Sequence, residues 1–288
     1  MTPVAETPAK ARMPWPQIAW FGALLLAAYA PVLWRLVQQW EGDMGHGIFV
    51  PVVSGYIVWK RRNELAAIRP APSWLGLLVV LYGGLQLYIA TLGAELFLAR
   101  TAFIISIVGV VLLLAGPEFV AKLAFPLFLL LFMVPIPAVV YNGITFPLQL
   151  LASRLADGAL TALQIPVLRE GNILELPEQR LSVVEACSGI RSLLSLTFLS
   201  LVYGYFFEER KWMRVVLFFA TIPIAIVANA GRVTLTGVLT EVKPELAEGF
   251  FHSASGWVIF MVALFTLIAF HQALNRIFRL QSGTEREP

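Results

Sequence analysis

The sequence predicts an all-α polytopic membrane protein of about eight transmembrane helices, with an outer-face amphipathic helix and a small β-hairpin placed before its only cysteine. Three observations carry that prediction. The 288 residues are 58% apolar and only 14% charged, whereas soluble domains are nearer half apolar and about a quarter charged. Several apolar runs approach the roughly 20 residues needed to cross a bilayer. The Lys and Arg residues are also biased to one side, 13 of 21 with a cytoplasmic N-terminus.

Taken in order, the apolar runs are Ile18–Val37, Ile48–Trp59, Trp74–Leu92, Leu96–Leu114, Leu123–Tyr141, Ile190–Phe207, Trp212–Ala228 and Ser253–Phe270. The second is short for a span, and Pro51 near its start permits a tilt, an earlier start or a re-entrant path. "MVPIP" (Met133–Pro137) should kink or end the fifth. The longest interruption, Asn142 to Gly189, begins with Pro147–Leu163, where Gln149, Ser153, Asp157 and Thr161 recur every fourth residue while Leu148, Leu151 and Leu155 occupy another face. That is an amphipathic helix, at the membrane surface or covering the bundle. Two short alternating segments then follow, Asn172–Leu176 and Leu181–Glu185 around a PEQR turn, and read as a β-hairpin. Open strand edges cannot face lipid, so the hairpin belongs in water or under protein. The tryptophans at 15, 20, 34, 40, 59, 74, 212 and 257 mostly fall near run ends, as an aromatic belt does.

With a cytoplasmic N-terminus, 13 of the 21 Lys and Arg residues fall on the inner side and 11 of the 18 Asp and Glu residues on the outer side. The Lys/Arg bias sets the orientation. Both termini are then cytoplasmic, with residues 1–17 a tail, 18–270 one membrane-embedded domain and 271–288 a second tail. The N-terminal stretch has no cleavable signal pattern, so the first run is expected to act as an uncleaved anchor. A single cysteine rules out an internal disulfide framework, and the net charge of +3 gives no indication of nucleic acid.

On this topology three successive spans each bring one reactive residue to the outer face. Cys187 lies at the start of the sixth span, Arg232 at the end of the seventh and His252 at the start of the eighth. Each has a bland reading by itself: a small buried hydrophobe, a snorkelling cation and a polar cap. Together they suit thiol chemistry. A thiol with a reference pKa of about 8.5 needs a helix N-terminus, a base or a cation to become thiolate. His252 can take and return a proton. Arg232 can stabilise thiolate, an oxyanion or a substrate carboxylate. Arg191, one turn past Cys187, is a further candidate for a carboxylate or an interfacial cation. His46 shares the outer side and can position substrate or cap a span. Glu185 can orient His252 or Arg232 or sit on the hairpin edge, and Asn229 can bond a pocket group or end its helix. His271 falls at the cytoplasmic end, as an interfacial residue on the wrong side for this chemistry, and Asp157 and Glu170 read as solvated faces.

The motifs "EACSGIRSLL", "ANAGRV", "GFFHSASGW" and "GHGIFVP", in that relation to the "REGNILELP…LSVVEACSG" hairpin, resemble those of the exosortase/archaeosortase family over roughly Trp34 to Phe270. The resemblance implies a membrane-embedded cysteine transpeptidase or protease of the bacterial inner membrane, its catalytic set falling on Cys187, Arg232 and His252. It also implies substrate proteins with a C-terminal PEP-CTERM signal (a Pro-Glu-Pro motif, a hydrophobic helix and a basic tail) and a link to exopolysaccharide export. No HExxH, paired-Asp or Walker motif is present, so no metal, cofactor or ATP is expected. The rival reading is a transporter or export component without enzymatic activity. It would place polar residues and broken helices near the bilayer midplane, where this chain is largely apolar.

Overall fold

The structure is a computed structural model that describes residues 15–42, 45–177, 179–183, 189–242 and 249–284. It is mostly helical and divides into two compact units, Met1–Pro137 and Ala138–Pro288. The first holds α1 (Trp15–Gly42), α2 (Phe49–Lys60), α3 (Arg62–Ala67), α4 (Leu75–Leu92), α5 (Leu96–Leu114), α6 (Pro117–Leu129) and a 3-10 turn (Leu130–Met133). The second holds α7 (Ala138–Ala162), strands β1 (Leu168–Glu170), β2 (Ile173–Glu175) and β3 (Arg180–Ser182), and helices α8 (Gly189–Phe207), α9 (Lys211–Val242) and α10 (Gly249–Thr284).

Each of the eight apolar runs falls on helix, but eight spans are not obtained. Among the described residues five helices are long and apolar enough to cross a membrane, or six if α6 and α7 are counted as one broken span. The second run forms α2, only 12 residues and about 18 Å long at 1.5 Å per residue. The fifth run breaks at residues 134–137, because Pro135 and Pro137 lack amide hydrogens and push the residues before them out of helical geometry. The helix tightens into the 3-10 turn there and restarts at Ala138.

In the first unit α4 and α5 form a hairpin at very short range. A side chain at Gly76 would collide with the backbone of Leu113, and one at Gly83 with the Ser106 hydroxyl. Small residues that let backbones touch are what holds helices together in lipid, where burial of apolar area gives no advantage. Helix α1 joins this pair through Tyr29, whose hydroxyl lies 2.8 Å from Ser106 Oγ and whose ring packs on Phe103. The large apolar side chains left exposed, Leu81 and Leu85 on α4 among them, are those a lipid-facing surface carries.

The second unit corrects the hairpin and the amphipathic helix. The hairpin is a three-stranded antiparallel sheet in the order β1-β2-β3, with Ile173 opposite Ser182 and Leu174 opposite Leu181. The unforeseen strand, β1, joins β2 through a turn in which Gly171 adopts φ +64, a left-handed conformation that costs other residues about 1–2 kcal/mol. Helix α7 begins nine residues earlier than the expected Pro147, and most of its polar stripe is engaged by the sheet, with Thr161 left exposed. Ser153 is fully buried and donates to the Gly171 carbonyl at 2.9 Å. Asn172 Nδ2 donates to Gln149 Oε1 at 3.3 Å, and Asp157, expected to be solvated, pairs with Arg169 on β1 at 3.7 Å. The sheet supplies the hydrogen-bond partners, so the polar stripe turns towards it and Leu151 and Leu155 stay exposed.

Candidate functional site

The second unit sets α8, α9 and α10 side by side, and two ladders of contacts fix their relative heights. Thr197 on α8 meets Thr221 on α9, hydroxyl to hydroxyl at 3.2 Å. One turn on, Leu193 and Ala225 line the same crevice. The two helices are therefore antiparallel, and one further turn brings Gly189, the first residue of α8, level with Asn229. Tyr203 on α8 meets His271 on α10, 68 residues later. Leu196 and Phe260 line one crevice together, so α8 and α10 run parallel and Gly189 is level with about Trp257. Gly189, Asn229 and Trp257 thus mark one end of the bundle.

Arg232 stands three residues past Asn229 on α9. It is 8% exposed, and its guanidinium lies flat against Gly256 of α10, where a Cβ atom would fall 3.2 Å from Nη2 and 3.4 Å from Nη1. Gly256 is what lets the planar group approach the helix. Position 252 is one turn before Gly256 and therefore on the same face of α10. The next residue on α9, Val233, is fully buried in one cluster with Leu160, Leu174, Leu181 and Val183. The sheet, its last strand included, is thereby fixed to α9 immediately beside Arg232. Thr236, one turn further on, returns its hydroxyl to the Arg232 carbonyl at 3.0 Å, so this polar side chain is satisfied within its own helix.

Asn229 lines two crevices, one on either side of α9. One, with room for about one water molecule (≈ 20 Å³), is formed with Thr145, Leu148 and Gln149 of α7 and Leu193 of α8. The other, equally narrow at ≈ 20 Å³, includes Arg232, Gly256 and Phe260. Asn229 does not end its helix, which continues to Val242.

Cys187 and Glu185 lie outside the described residues. Position 191 is in the first turn of α8 and position 252 in the first turn of α10, while their side chains lie outside the described part. His46 belongs to the other unit, in the turn before α2. There it bonds the Phe132 backbone, and burial pushes its imidazole pKa down. Beside it Trp40 donates to the Met133 carbonyl at 3.1 Å.

His271, expected at the interface at the cytoplasmic end of the last span, is buried within the bundle, 3% exposed. Its Nε2 lies 2.8 Å from Glu208 Oε2 and its Nδ1 2.8 Å from the Tyr203 hydroxyl. Asn275 Nδ2 lies 2.9 Å from the same Nε2, so three groups contact the ring. Arg210 grips the same carboxylate twice, Nε to Oε1 and Nη2 to Oε2, each at 2.9 Å. Arg210 also donates to Asn275 Oδ1. This cluster ties the α8–α9 turn to α10 at the end of the bundle away from Arg232.

Sequence reasoning missed Gly256 and the Val183–Val233 packing. A small residue one turn after His252 in "HSASGW" was the available signal for the first; nothing local signals the second. Among known families, the model described as transmembrane exosortase matches residues 34–269, most of the chain. Comparison with curated proteins and with solved structures finds no match.

Proposed function

Because the chain belongs to the transmembrane exosortase family, we propose that it is an inner-membrane cysteine transpeptidase or protease that cleaves C-terminal PEP-CTERM-type sorting signals at the periplasmic face. The single observation that carries this reading is the seat of Arg232 against Gly256, at the bundle end where α8 begins. His252 lies five residues before the level of Gly189 and Arg232 three residues past it, so both fall within about 8 Å of that level along the bundle. Cys187 precedes Gly189 by two residues, a separation of at most about 7 Å. One level of the bundle can therefore supply a nucleophile, a cation and a base.

The chemistry follows from those groups. Cys187, as thiolate, attacks the scissile carbonyl, and the C=O electron pair moves onto oxygen. The Arg232 guanidinium offers charge and two N–H groups to that oxyanion, or to the glutamate of the sorting motif. The tetrahedral species collapses with loss of the amine, which takes its proton from His252, and leaves a thioester on Cys187. Water or an acceptor amine then attacks the thioester, gives its proton to His252 and releases the acyl product, and Cys187 leaves as the thiolate from which the cycle began. A substrate helix inserted beside the bundle, with its basic tail cytoplasmic, brings its Pro-Glu-Pro segment to this face. Glu185, Arg191, His46 and Asn229 are proposed as substrate-side contacts.

The test is processing of a tagged substrate in cells that express wild type, Cys187→Ala or Cys187→Ser. We expect full-length substrate to accumulate with both variants while each remains in the membrane. Unchanged processing would remove Cys187 as nucleophile. Orientation has its own check, since Cys187 should react with a membrane-impermeant thiol reagent added from the periplasmic side.

A further inference from the structure

The sheet has an unused edge, and the hydrogen-bond register identifies which groups are on it. Val183 N donates to Asn172 O at 2.9 Å and Leu176 N donates to Gln179 O at 3.0 Å. Residues 179, 181 and 183 therefore turn their main-chain groups towards β2, and the antiparallel ladder alternates strictly. Arg180 and Ser182 face the other way. Among the described residues no backbone group meets their N–H and C=O. Such an edge is a template for another extended chain, and it cannot be left against lipid.

Three further facts give that edge a direction. The strand is rigidly backed, since Leu181 and Val183 are buried against Leu174 and Val233. Val233 adjoins Arg232, so the C-terminal end of β3 is fixed beside the candidate site. In sequence Ser182 comes five residues before Cys187, and Arg180 leaves its side chain 77% exposed beside Glu175.

We propose that the outer edge of β3 is the docking strand for the extended segment of the substrate polypeptide, which adds as a fourth strand through the main-chain groups of Arg180 and Ser182. This rests on the peptide-cleaving function proposed above and deepens it. Recognition through the main chain supplies affinity, while side chains on alternate residues supply selectivity. It also imposes a period of two on the ligand, because only every second residue of an added strand turns its amide towards β3.

The test uses the full-length protein in lipid nanodiscs. Its substrate is a synthetic peptide carrying a Pro-Glu-Pro motif, a hydrophobic helix and a basic tail. Ser182→Pro deletes one outward N–H and leaves the β2 ladder intact; Ser182→Ala keeps that N–H. We expect the proline to lower kcat/KM roughly fivefold to tenfold more than the alanine, the worth of one hydrogen bond, through KM. Alkylation of Cys187 by iodoacetamide should be unaffected. A scan of single N-methylated amides along the peptide, run on wild-type protein, should impair cleavage at alternate residues. It decides the matter even if the proline variant does not fold. Cys187-dependent cleavage without that alternation, or equal effects of proline and alanine, would overturn the docking strand alone. Cleavage that persists in Cys187→Ala would overturn the function on which it rests.

Discussion

The two ends of the α8–α9–α10 bundle are built on opposite plans. At the Glu208 end every strong group is answered within the protein: a carboxylate gripped twice by Arg210, an imidazole held between Glu208 and Tyr203, and a backbone carbonyl of Glu208 taken by Arg214 Nε at 2.7 Å. The Arg232 end is less closed: two narrow crevices meet at Asn229, a glycine makes room for a guanidinium, and among the described residues a strand edge has no partner strand. Buried charges are expensive unless fully paired, so the closed end is what holds three helices in fixed register. The open end is free to use that register for chemistry. The contrast teaches where stability and where activity should be sought.

The largest expected effect is at the open end. Gly256→Leu pushes a side chain into the Arg232 guanidinium and should reduce processing by about 10²-fold, the usual worth of one displaced oxyanion donor. Gly256→Ala adds only one methyl at 3.2 Å and should lose clearly less. Equal, small losses would mean that the seat of Arg232 does not matter.

The closed end should respond in melting rather than in turnover. Glu208→Gln leaves Arg210 and His271 without their anion and should cost about 3 kcal/mol, read as a lower melting temperature in detergent, with processing retained at permissive temperature. The pH dependence sharpens this. The Arg210 guanidinium, with help from His271, holds the Glu208 carboxyl well below the usual carboxylate range. A pKa depressed by folding means that the stabilisation is complete above the unfolded value of about 4.5 and is lost as pH falls below it. Wild type should therefore weaken between about pH 5 and pH 3, and Glu208→Gln should flatten that slope.

The smallest effect belongs to the sheet that joins the two plans. Gly171→Ala meets no neighbour but forces a left-handed residue and should cost about 1 kcal/mol, seen as a small melting shift with cleavage nearly intact.

The helices were legible because hydrophobic run length is a local property. Their limits were less so: α10 extends to Thr284, well past the apolar run that ends at Phe270, because helix continues on propensity where apolarity stops. Strand β1 was missed because three residues are too few to display an alternation. Whether α7 lies at the membrane surface or covers the bundle stayed open, and Asp157 was read as solvated, because the partners Gly171, Asn172 and Arg169 lie beyond a turn. The burial of His271 was hidden because two of its partners, Tyr203 and Glu208, come from α8 and the turn that follows it, far off in sequence. Of the candidate site, Arg232 was found from its position at a span end. Its contact with Gly256 depends on the packing of α9 against α10, which no spacing within either helix encodes.

Helix α8 has a consequence of its own. Its 19 residues span about 28 Å, close to a hydrocarbon slab of about 30 Å, while its neighbours α9 and α10 are 32 and 36 residues long. Helices that outrun the slab tilt or carry their ends into water, so the two long neighbours have length to spare beyond the bilayer that α8 does not.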